Sequence, residues 1–131
     1  MRLLVCGGRD YTDQNLMNWI LQAFHMAKGP IIELVNGGCP TGADKFATDW
    51  ANDHDVQVRI FHADWRIFNA GAGPIRNAEM TGWFAEQEGL KMAIAFPGGS
   101  GTADTVRLCK KLNIPCVTFN RNEKETIDGN S

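Results

Sequence analysis

Five short apolar runs recur along the chain, and longer segments with a helical period separate them. The runs cover residues 2–6, 31–35, 56–61, 91–96 and 115–119. The first, second and fourth are almost continuously apolar, which is typical of parallel strands that helices cover on both faces. The third run alternates Val56, Val58 and Ile60 with polar residues, so it predicts a more exposed strand at an edge of the sheet.

The segments between the runs predict four amphipathic helices. They cover residues 13–28, residues 42–53, a segment that begins at Pro74, and about residues 102–112. Proline suits a first helical position because its missing N–H would have no partner there. The apolar stripe of the first helix consists of Leu16, Ile20, Ala23, Phe24 and Ala27. We expect this stripe to face the sheet, and we assign Trp19 and Trp50 to the core.

The alternation of strands and helices predicts an α/β fold: a single Rossmann-like domain with a five-stranded parallel sheet and helices on both faces. We expect the strand order 3-2-1-4-5, because the longest connection, residues 62–90, separates the third and fourth strands. In this order the first and fourth strands are neighbours at the point where the order reverses. The domain is expected to cover residues 1–120, followed by a polar, flexible tail over residues 121–131.

Composition supports one domain, since 131 residues with 44% hydrophobic side chains suffice for a single core. The formal charge of -2 provides no broad basic surface, so we expect a small-molecule partner rather than a nucleic acid. The N-terminal apolar run is too short for a signal peptide or a membrane span, which predicts a cytoplasmic protein without membrane contact.

The four cysteines lie far apart, with no C-x-x-C pair and no histidine at ligand spacing. This pattern indicates neither a zinc site nor a disulfide framework, and we expect reduced, mostly buried thiols. We predict no metal and no cofactor. The sequence also contains no Walker A motif and no G-x-G-x-x-G, which disfavours an ordinary ATPase or an NAD-dependent dehydrogenase.

Glycine-rich loops follow the first four predicted strands. In open parallel sheets, ligands bind outside the carboxyl ends of the strands, where the strand order reverses. That rule selects CGGRDY, residues 6–11, and PGGSGT, residues 97–102. Residues 36–44 and 62–77 end in the same way, with glycines that open a helix. A single Gly-Gly would indicate only a chain reversal, but four such loops at one edge predict a pocket for a phosphate-bearing ligand.

The candidate ligand-binding residues all lie in or directly after these loops. They are Gly7, Gly8, Arg9, Asp10, Gly37, Gly38, Thr41, Gly42, Asp44, Asp64, Trp65, Gly73, Arg76, Asn77, Pro97, Gly98, Gly99, Ser100, Gly101 and Thr102. The acidic side chains available for acid, base or cation-stabilising work are Asp10, Asp44, Asp64, Glu79 and Asp104.

Several of these side chains have a second interpretation. Arg9 and Asp10 suit a phosphate and a ribose hydroxyl, or alternatively a surface ion pair. Asp44 lies three residues after Thr41, so it either contacts the ligand or closes a capping box. Thr102 can likewise cap the last helix, and the indole of Trp65 either stacks on a base or covers the core.

Two segments resemble motifs of the LOG-type nucleotide phosphoribohydrolases. GPIRNAEM, residues 73–80, is similar to R-K-x-E-M, and PGGSGT is similar to the start of P-G-G-x-G-T-x-x-E. These enzymes belong to the wider SLOG superfamily of Rossmann-like nucleotide-binding domains. VCGGRDYTD, NGGCPTGADKFATDWA and FHADW resemble the YspA-type branch of that superfamily still more closely. The likeness extends from residue 3 to about residue 118.

The resemblance implies a nucleotide-derived ligand whose phosphate is held by the glycines and Thr102 of PGGSGT. Arg76 matches the LOG motif arginine, whereas Asn77 replaces the lysine and Thr105 replaces the final glutamate. A threonine cannot stabilise an oxocarbenium ion as a carboxylate would. We therefore expect a binding module that senses or sequesters a nucleotide-derived molecule.

Two alternatives remain open at this point. The first is a phosphoribohydrolase in which Arg76 acts together with Glu79, Asp104 or Asp10 in place of the missing glutamate. The weaker alternative is a single-stranded DNA-binding factor, which the acidic balance opposes. We also expect a possible homo-oligomer, a dimer, for which Trp83 and Phe84 would form the face unless they belong to the core.

Overall fold

The five predicted strands form one parallel sheet. The computed structural model describes residues 1–119, so the predicted tail lies outside the described residues. The strands are β1 (Arg2–Cys6), β2 (Glu33–Asn36), β3 (Gln57–Ile60), β4 (Lys91–Ala95) and β5 (Cys116–Thr118). Their order is β3-β2-β1-β4-β5, which confirms the prediction, and β3 lies at an edge. The longest pairing joins β1 to β4, from Arg2 opposite Lys91 to Cys6 opposite Ala95.

Helices connect the strands and cover both faces of the sheet. They are α1 (Gln14–Ala27), α2 (Gly42–Asp53), the short α3 (Trp65–Phe68), α4 (Ala72–Glu86) and α5 (Ser100–Lys111). A 3-10 turn, Asn69–Gly71, joins α3 to α4. The side chain of Asp13 caps α1 by accepting a hydrogen bond from the Leu16 amide at 3.1 Å.

Alternate residues of the central strand point into two separate clusters. Leu3 and Val5 of β1 pack with buried residues of α1 and α2, including Met17 and Trp50. Leu4 and Cys6 pack on the other side; the α4 and α5 residues of that second cluster are Met80, Phe84 and Cys109. A strand buried on both faces explains the continuous apolar run in the sequence.

The buried face of α1 agrees only in part with the predicted one, at Ile20 and Phe24. Met17 and Leu21 are fully buried with Ile20, whereas Leu16 and Trp19 are exposed. The assignment of Trp19 to the core is therefore wrong, and that of Trp50 is confirmed. The helix is apolar on two sides, so periodicity alone does not select the side that packs on the sheet.

Two further predictions about helices change. The helix expected from Pro74 begins at Ala72, so the proline is its third residue and lies in the first turn, where its missing N–H costs no hydrogen bond. Phe84 is buried, and Trp83 packs against Phe61 and under the guanidinium of Arg59. Phe84 therefore belongs to the core, and Trp83 is partly covered by the folded chain, while the dimer itself stays a prediction. Among residues 1–119, every helix is too short or too polar to span a bilayer.

Candidate functional site

A cleft of about 670 Å³ opens at the carboxyl end of the sheet, where β1 and β4 are neighbours. Many of the predicted ligand-binding residues line it: Gly7, Gly8, Arg9, Asp10, Gly37, Asp44, Arg76, Asn77, Pro97, Gly98, Gly99, Ser100, Gly101 and Thr102. The loops after β1, β2 and β4 contribute to the lining, and so does the beginning of α4. The cleft therefore lies where the reversal of strand order predicts it.

The loops after β1 and β4 touch each other through their backbones. The Gly8 amide donates a hydrogen bond to the Pro97 carbonyl at 2.9 Å. A side chain at Gly8 would bring its Cβ to 3.0 Å from the Gly98 Cα, which is tighter than nine in ten such contacts in folded proteins. These glycines permit the close approach of the two loops, which together form the floor of the cleft.

The first turn of α5 presents unpaired amides to the cleft. Gly99 precedes the helix, and its carbonyl accepts from the Ala103 amide at 3.1 Å. No acceptor within residues 1–119 pairs with the backbone amides of Ser100, Gly101 or Thr102. Helix N-termini carry a partial positive charge, so this turn can bind an anion. Thr102 lies inside the helix and does not cap it.

Gly99 and Gly101 differ from the other glycines of the cleft. In the described part of the chain, no heavy atom lies within 4 Å of the place where either residue would carry a Cβ, leaving out the residue itself, its chain neighbours and the local helix backbone. Packing within the chain therefore does not require glycine at these positions. Both residues line the cleft, so the absence of their side chains leaves room for a ligand to approach the α5 amides.

Asp44 lies on the cleft wall beneath the loop after β2. Its Oδ2 accepts a hydrogen bond from the Cys39 amide at 3.2 Å, and the Thr41 hydroxyl donates to the Arg9 carbonyl at 3.0 Å. No capping box forms, because Thr41 makes no side-chain cap bond and Asp44 holds the loop instead. Burial raises the pKa of the Asp44 carboxyl, while the Cys39 amide and the Arg76 guanidinium lower it.

Arg76 is held on the opposite side of the same loop. Its Nη1 donates to the Gly37 carbonyl at 2.8 Å, and its Nε donates to the Asn77 Oδ1 at 2.8 Å. Asn77 is buried and donates through Nδ2 to the Asp104 Oδ2 at 3.2 Å. The arginine thus lines the cleft in a fixed orientation, and Asn77 connects it to α5.

The remaining candidates lie outside the lining of the cleft. They are Gly38, Thr41, Gly42, Asp64, Trp65, Gly73, Glu79 and Asp104. Trp65 is exposed and therefore does not cover the core. Asp104 accepts hydrogen bonds from the Asn77 amide and, at 2.8 Å, from the Arg107 guanidinium. The hydrogen bond from Arg107 is the main reason that the pKa of the Asp104 carboxyl is lowered. Thr105, in the position of the LOG glutamate, does line the cleft.

Sequence reasoning did not select several residues that line the cleft as ligand-binding residues: Val5, Cys6, Tyr11, Cys39, Met80 and Thr105. Tyr11 packs on Phe96 with ring centroids 5.3 Å apart, and its hydroxyl donates to the Asp13 carbonyl at 2.8 Å. Burial raises the pKa of Tyr11 to about 12, which keeps the phenol neutral. Tyr11 is the last residue of CGGRDY, and its place in that motif is the sequence feature that could have identified it as a lining residue.

A family model supports the likeness noted in the sequence. The model of the YspA, cpYpsA-related SLOG family, YAcAr, matches residues 1–68. The chain belongs to this SLOG family. Membership in the SLOG family suggests a nucleotide-related function. A comparison with curated proteins finds no match to the chain.

The SLOG match ends with α3, so it covers the wall after β2 and the part of the floor that the loop after β1 supplies. Residues 1–68 supply the loops after β1 and β2, with Arg9, Asp10 and Asp44. Arg76, Asn77 and the loop after β4 come from the second half of the chain. The β1–β4 pairing joins the two halves, which brings the SLOG residues and the α5 amides into one cleft.

Proposed function

We propose that the chain is a binding module that senses or sequesters a nucleotide or nucleotide-derived small molecule. The phosphate would accept hydrogen bonds from the first turn of α5, and the remainder of the ligand would lie between the loops after β1 and β2. Membership in the SLOG family supports a nucleotide-related ligand, and the geometry of the cleft supports this placement of its phosphate.

The observation that carries the proposal is the unobstructed first turn of α5. Three consecutive amides have no acceptor among residues 1–119, and two glycines leave the space in front of them open. Glycine within a helix is unfavourable by roughly 0.5–1 kcal/mol relative to alanine. No packing contact explains why glycine is present in this turn. The close approach of an anion to the backbone would explain it.

Polar side chains on the other walls suit the rest of a nucleotide. The guanidinium groups of Arg9 and Arg76 line the cleft and can contact phosphate oxygens. Asp10 and Asp44 are the carboxylates among the lining residues, and each can accept hydrogen bonds from ribose hydroxyls. The combination of cations and carboxylates favours a ligand that carries both an anion and hydrogen-bond donors.

Binding without hydrolysis is favoured by the residue at the LOG glutamate position. Thr105 is buried, and its hydroxyl donates to the Gly101 carbonyl at 3.2 Å. A hydroxyl engaged with the backbone cannot stabilise a developing oxocarbenium ion as a carboxylate does. Asp104 and Glu79, the carboxylates nearest to it in the motifs, lie outside the lining of the cleft.

The test begins with native mass spectrometry of the purified chain, which we expect to retain a nucleotide. Nucleoside mono- and diphosphates, cyclic nucleotides and ADP-ribose are then compared by thermal unfolding. A ligand at 100 times its dissociation constant adds about 2.7 kcal/mol to the free energy of unfolding. The Arg76→Ala variant should lose most of this stabilisation. If no nucleotide is retained and none raises the melting temperature, the proposal is wrong.

The hydrolase alternative is examined with the same samples. Nucleoside monophosphates are incubated with the protein, and release of free base is followed by chromatography. We expect no base above the rate that Arg76→Ala shows. Base release that Arg76→Ala abolishes would instead identify the chain as a phosphoribohydrolase.

A further inference from the structure

An apolar stripe runs along the outer face of α1. Trp19 is 71% exposed, Met26 is 77% exposed, and Leu16 and Ala23 are exposed on the same side. The positions follow one another at spacings of three, four and three residues, which places all of them on one face of the helix. The opposite face, with Met17 and Leu21, packs on the sheet. The exposed residues of the stripe are therefore not part of the core, and the packing of α1 on the sheet does not depend on them.

The helix that carries this stripe has no charged residue. All 14 residues of α1, QNLMNWILQAFHMA, lack Asp, Glu, Lys and Arg, whereas 21% of the whole chain is charged. The exposed polar neighbours are amides such as Asn15. An uncharged apolar face offers nothing to a nucleic acid or to a charged peptide. It suits a partner with an equally uncharged apolar surface.

The stripe is complementary to itself. Its spacing reads the same in both directions, so an antiparallel copy of α1 places the two stripes on each other. About the midpoint of the stripe, Trp19 of one helix then faces Ala23 of the other, and Leu16 faces Met26. Each bulky indole meets a small methyl group, which is the alternation of sizes that packed helices require. A two-fold axis generates both contacts twice, as in most homodimers.

We propose that a second copy of this chain docks on α1, with the two helices antiparallel about a two-fold axis. None of the stripe residues lines the nucleotide cleft, so the dimer leaves both clefts open. One helix pair buries less than the roughly 1,200–2,000 Å² of a standard interface, and we expect dissociation in the micromolar range. The proposal stands independently of the proposed function.

Sedimentation velocity of the full chain between roughly 1 and 300 µM tests the dimer, a range that spans micromolar dissociation constants. We expect the wild type to shift from monomer to dimer across this range. Trp19→Glu should weaken the dimer at least about 30-fold, because it removes a central aromatic anchor. Trp65→Glu changes a tryptophan that is also exposed but lies on α3, and it should leave dimerisation unchanged.

A size swap tests the register of the pairing. Trp19→Ala and Ala23→Trp should each weaken the dimer about 10-fold or more, the second because two indoles would face each other. The double variant Trp19→Ala/Ala23→Trp exchanges the partners and should dimerise within about 3-fold of wild type. Melting temperatures of all variants confirm that the surface changes leave the fold intact.

Three results would overturn the proposal. They are a wild-type chain that stays monomeric at the highest concentration, a dimer that Trp19→Glu leaves unchanged, and a double variant no better than its parents. The first result would mean that the stripe has a different partner or none. The second would place the interface elsewhere on the chain, and the third would exclude the antiparallel register.

Discussion

Gly101 occupies the first turn of α5 although nothing in the folded chain requires a glycine there. The glycines in the floor of the cleft are explained by packing, since a side chain at Gly8 would strike the neighbouring loop. A Cβ at Gly101 would meet no atom of the described residues within 4 Å, apart from the local backbone, and would point into open space. Stability and ligand binding therefore favour different residues at this one position.

Gly101→Ala should raise the free energy of unfolding and weaken binding at the same time. We expect a gain of about 0.5–1 kcal/mol, because alanine restricts the unfolded chain and favours the helix. Affinity for the stabilising nucleotide should fall because the methyl group blocks the approach to the amides. Urea unfolding and calorimetric titration measure the two effects. Gly82→Ala, at a similarly unobstructed position inside α4, should give the gain without the loss of affinity.

Asp44 links pH to stability through its burial. Its pKa is raised above the ordinary value of 3.8, so the folded state favours the protonated carboxyl. A raised folded pKa contributes stability that is fully present below the unfolded pKa and is lost as pH rises through the folded pKa. Asp44 therefore contributes less stability at neutral pH than at acidic pH.

Asp44→Asn should raise the melting temperature at pH 7, because the amide removes the buried charge and still accepts from the Cys39 amide. The gain should shrink as the pH falls toward 3.8, where the wild-type carboxyl becomes protonated. Thermal unfolding from pH 3.5 to 8 provides the comparison. Asp10→Asn, which removes one carboxylate at an exposed position of the same cleft, is the control for the change in net charge. A gain for Asp44→Asn that grew on acidification would contradict the argument.

At the scale of elements, Asn77 joins three parts of the cleft. It accepts from Arg76 on α4 and donates to Asp104 on α5, while Arg76 donates to the Gly37 carbonyl after β2. Asn77 is 4% exposed, whereas its partners Arg76 and Asp104 are partly exposed. The LOG motif has a lysine at this position, and a lysine side chain has no oxygen that could accept a hydrogen bond from Arg76.

Asn77→Leu should lower the free energy of unfolding by about 1–3 kcal/mol, because the hydrogen bonds of Asn77 with two charged side chains are lost. It should also weaken nucleotide binding, because Arg76 loses the acceptor that orients it. Thr81→Val is the matched change one turn later on α4, where the hydroxyl donates to the Asn77 carbonyl and lies outside the cleft. That control should lower stability without reducing affinity. Equal affinities for both variants would show that Asn77 does not orient Arg76.

Elements were predictable from the sequence where one physical signal dominates. The continuous apolar runs identify the buried strands, and the long connection identifies the point where their order reverses. The buried face of α1 was not predictable, because two apolar stripes on an uncharged helix satisfy the same periodicity. Asp64 and Trp65, at the start of α3, do not line the cleft, and their contact with a ligand stays a prediction. Glycine-rich loops indicate where strands end, but the length of a loop does not determine which of its side chains face the cleft.

At the scale of the whole molecule, the central pairing is between segments far apart in sequence. β1 lies in the half that matches the SLOG family, and β4 lies outside it. Without β4 and β5, β1 would become an edge strand, and the face of β1 that carries Leu4 and Cys6 would lose α4 and α5. The half that the family model matches therefore does not contain a complete core.

A chain limited to residues 1–68 should accordingly fail to fold, whereas residues 1–119 should unfold cooperatively near the melting temperature of the full chain. The longer chain keeps the two hydrophobic clusters and the five-stranded sheet that the structure describes over residues 1–119. Circular dichroism and the dispersion of amide proton resonances distinguish the two outcomes. A cooperative transition in the 1–68 chain would mean that β1 does not need β4. A large loss of stability in the 1–119 chain would assign residues 120–131 to the folded domain.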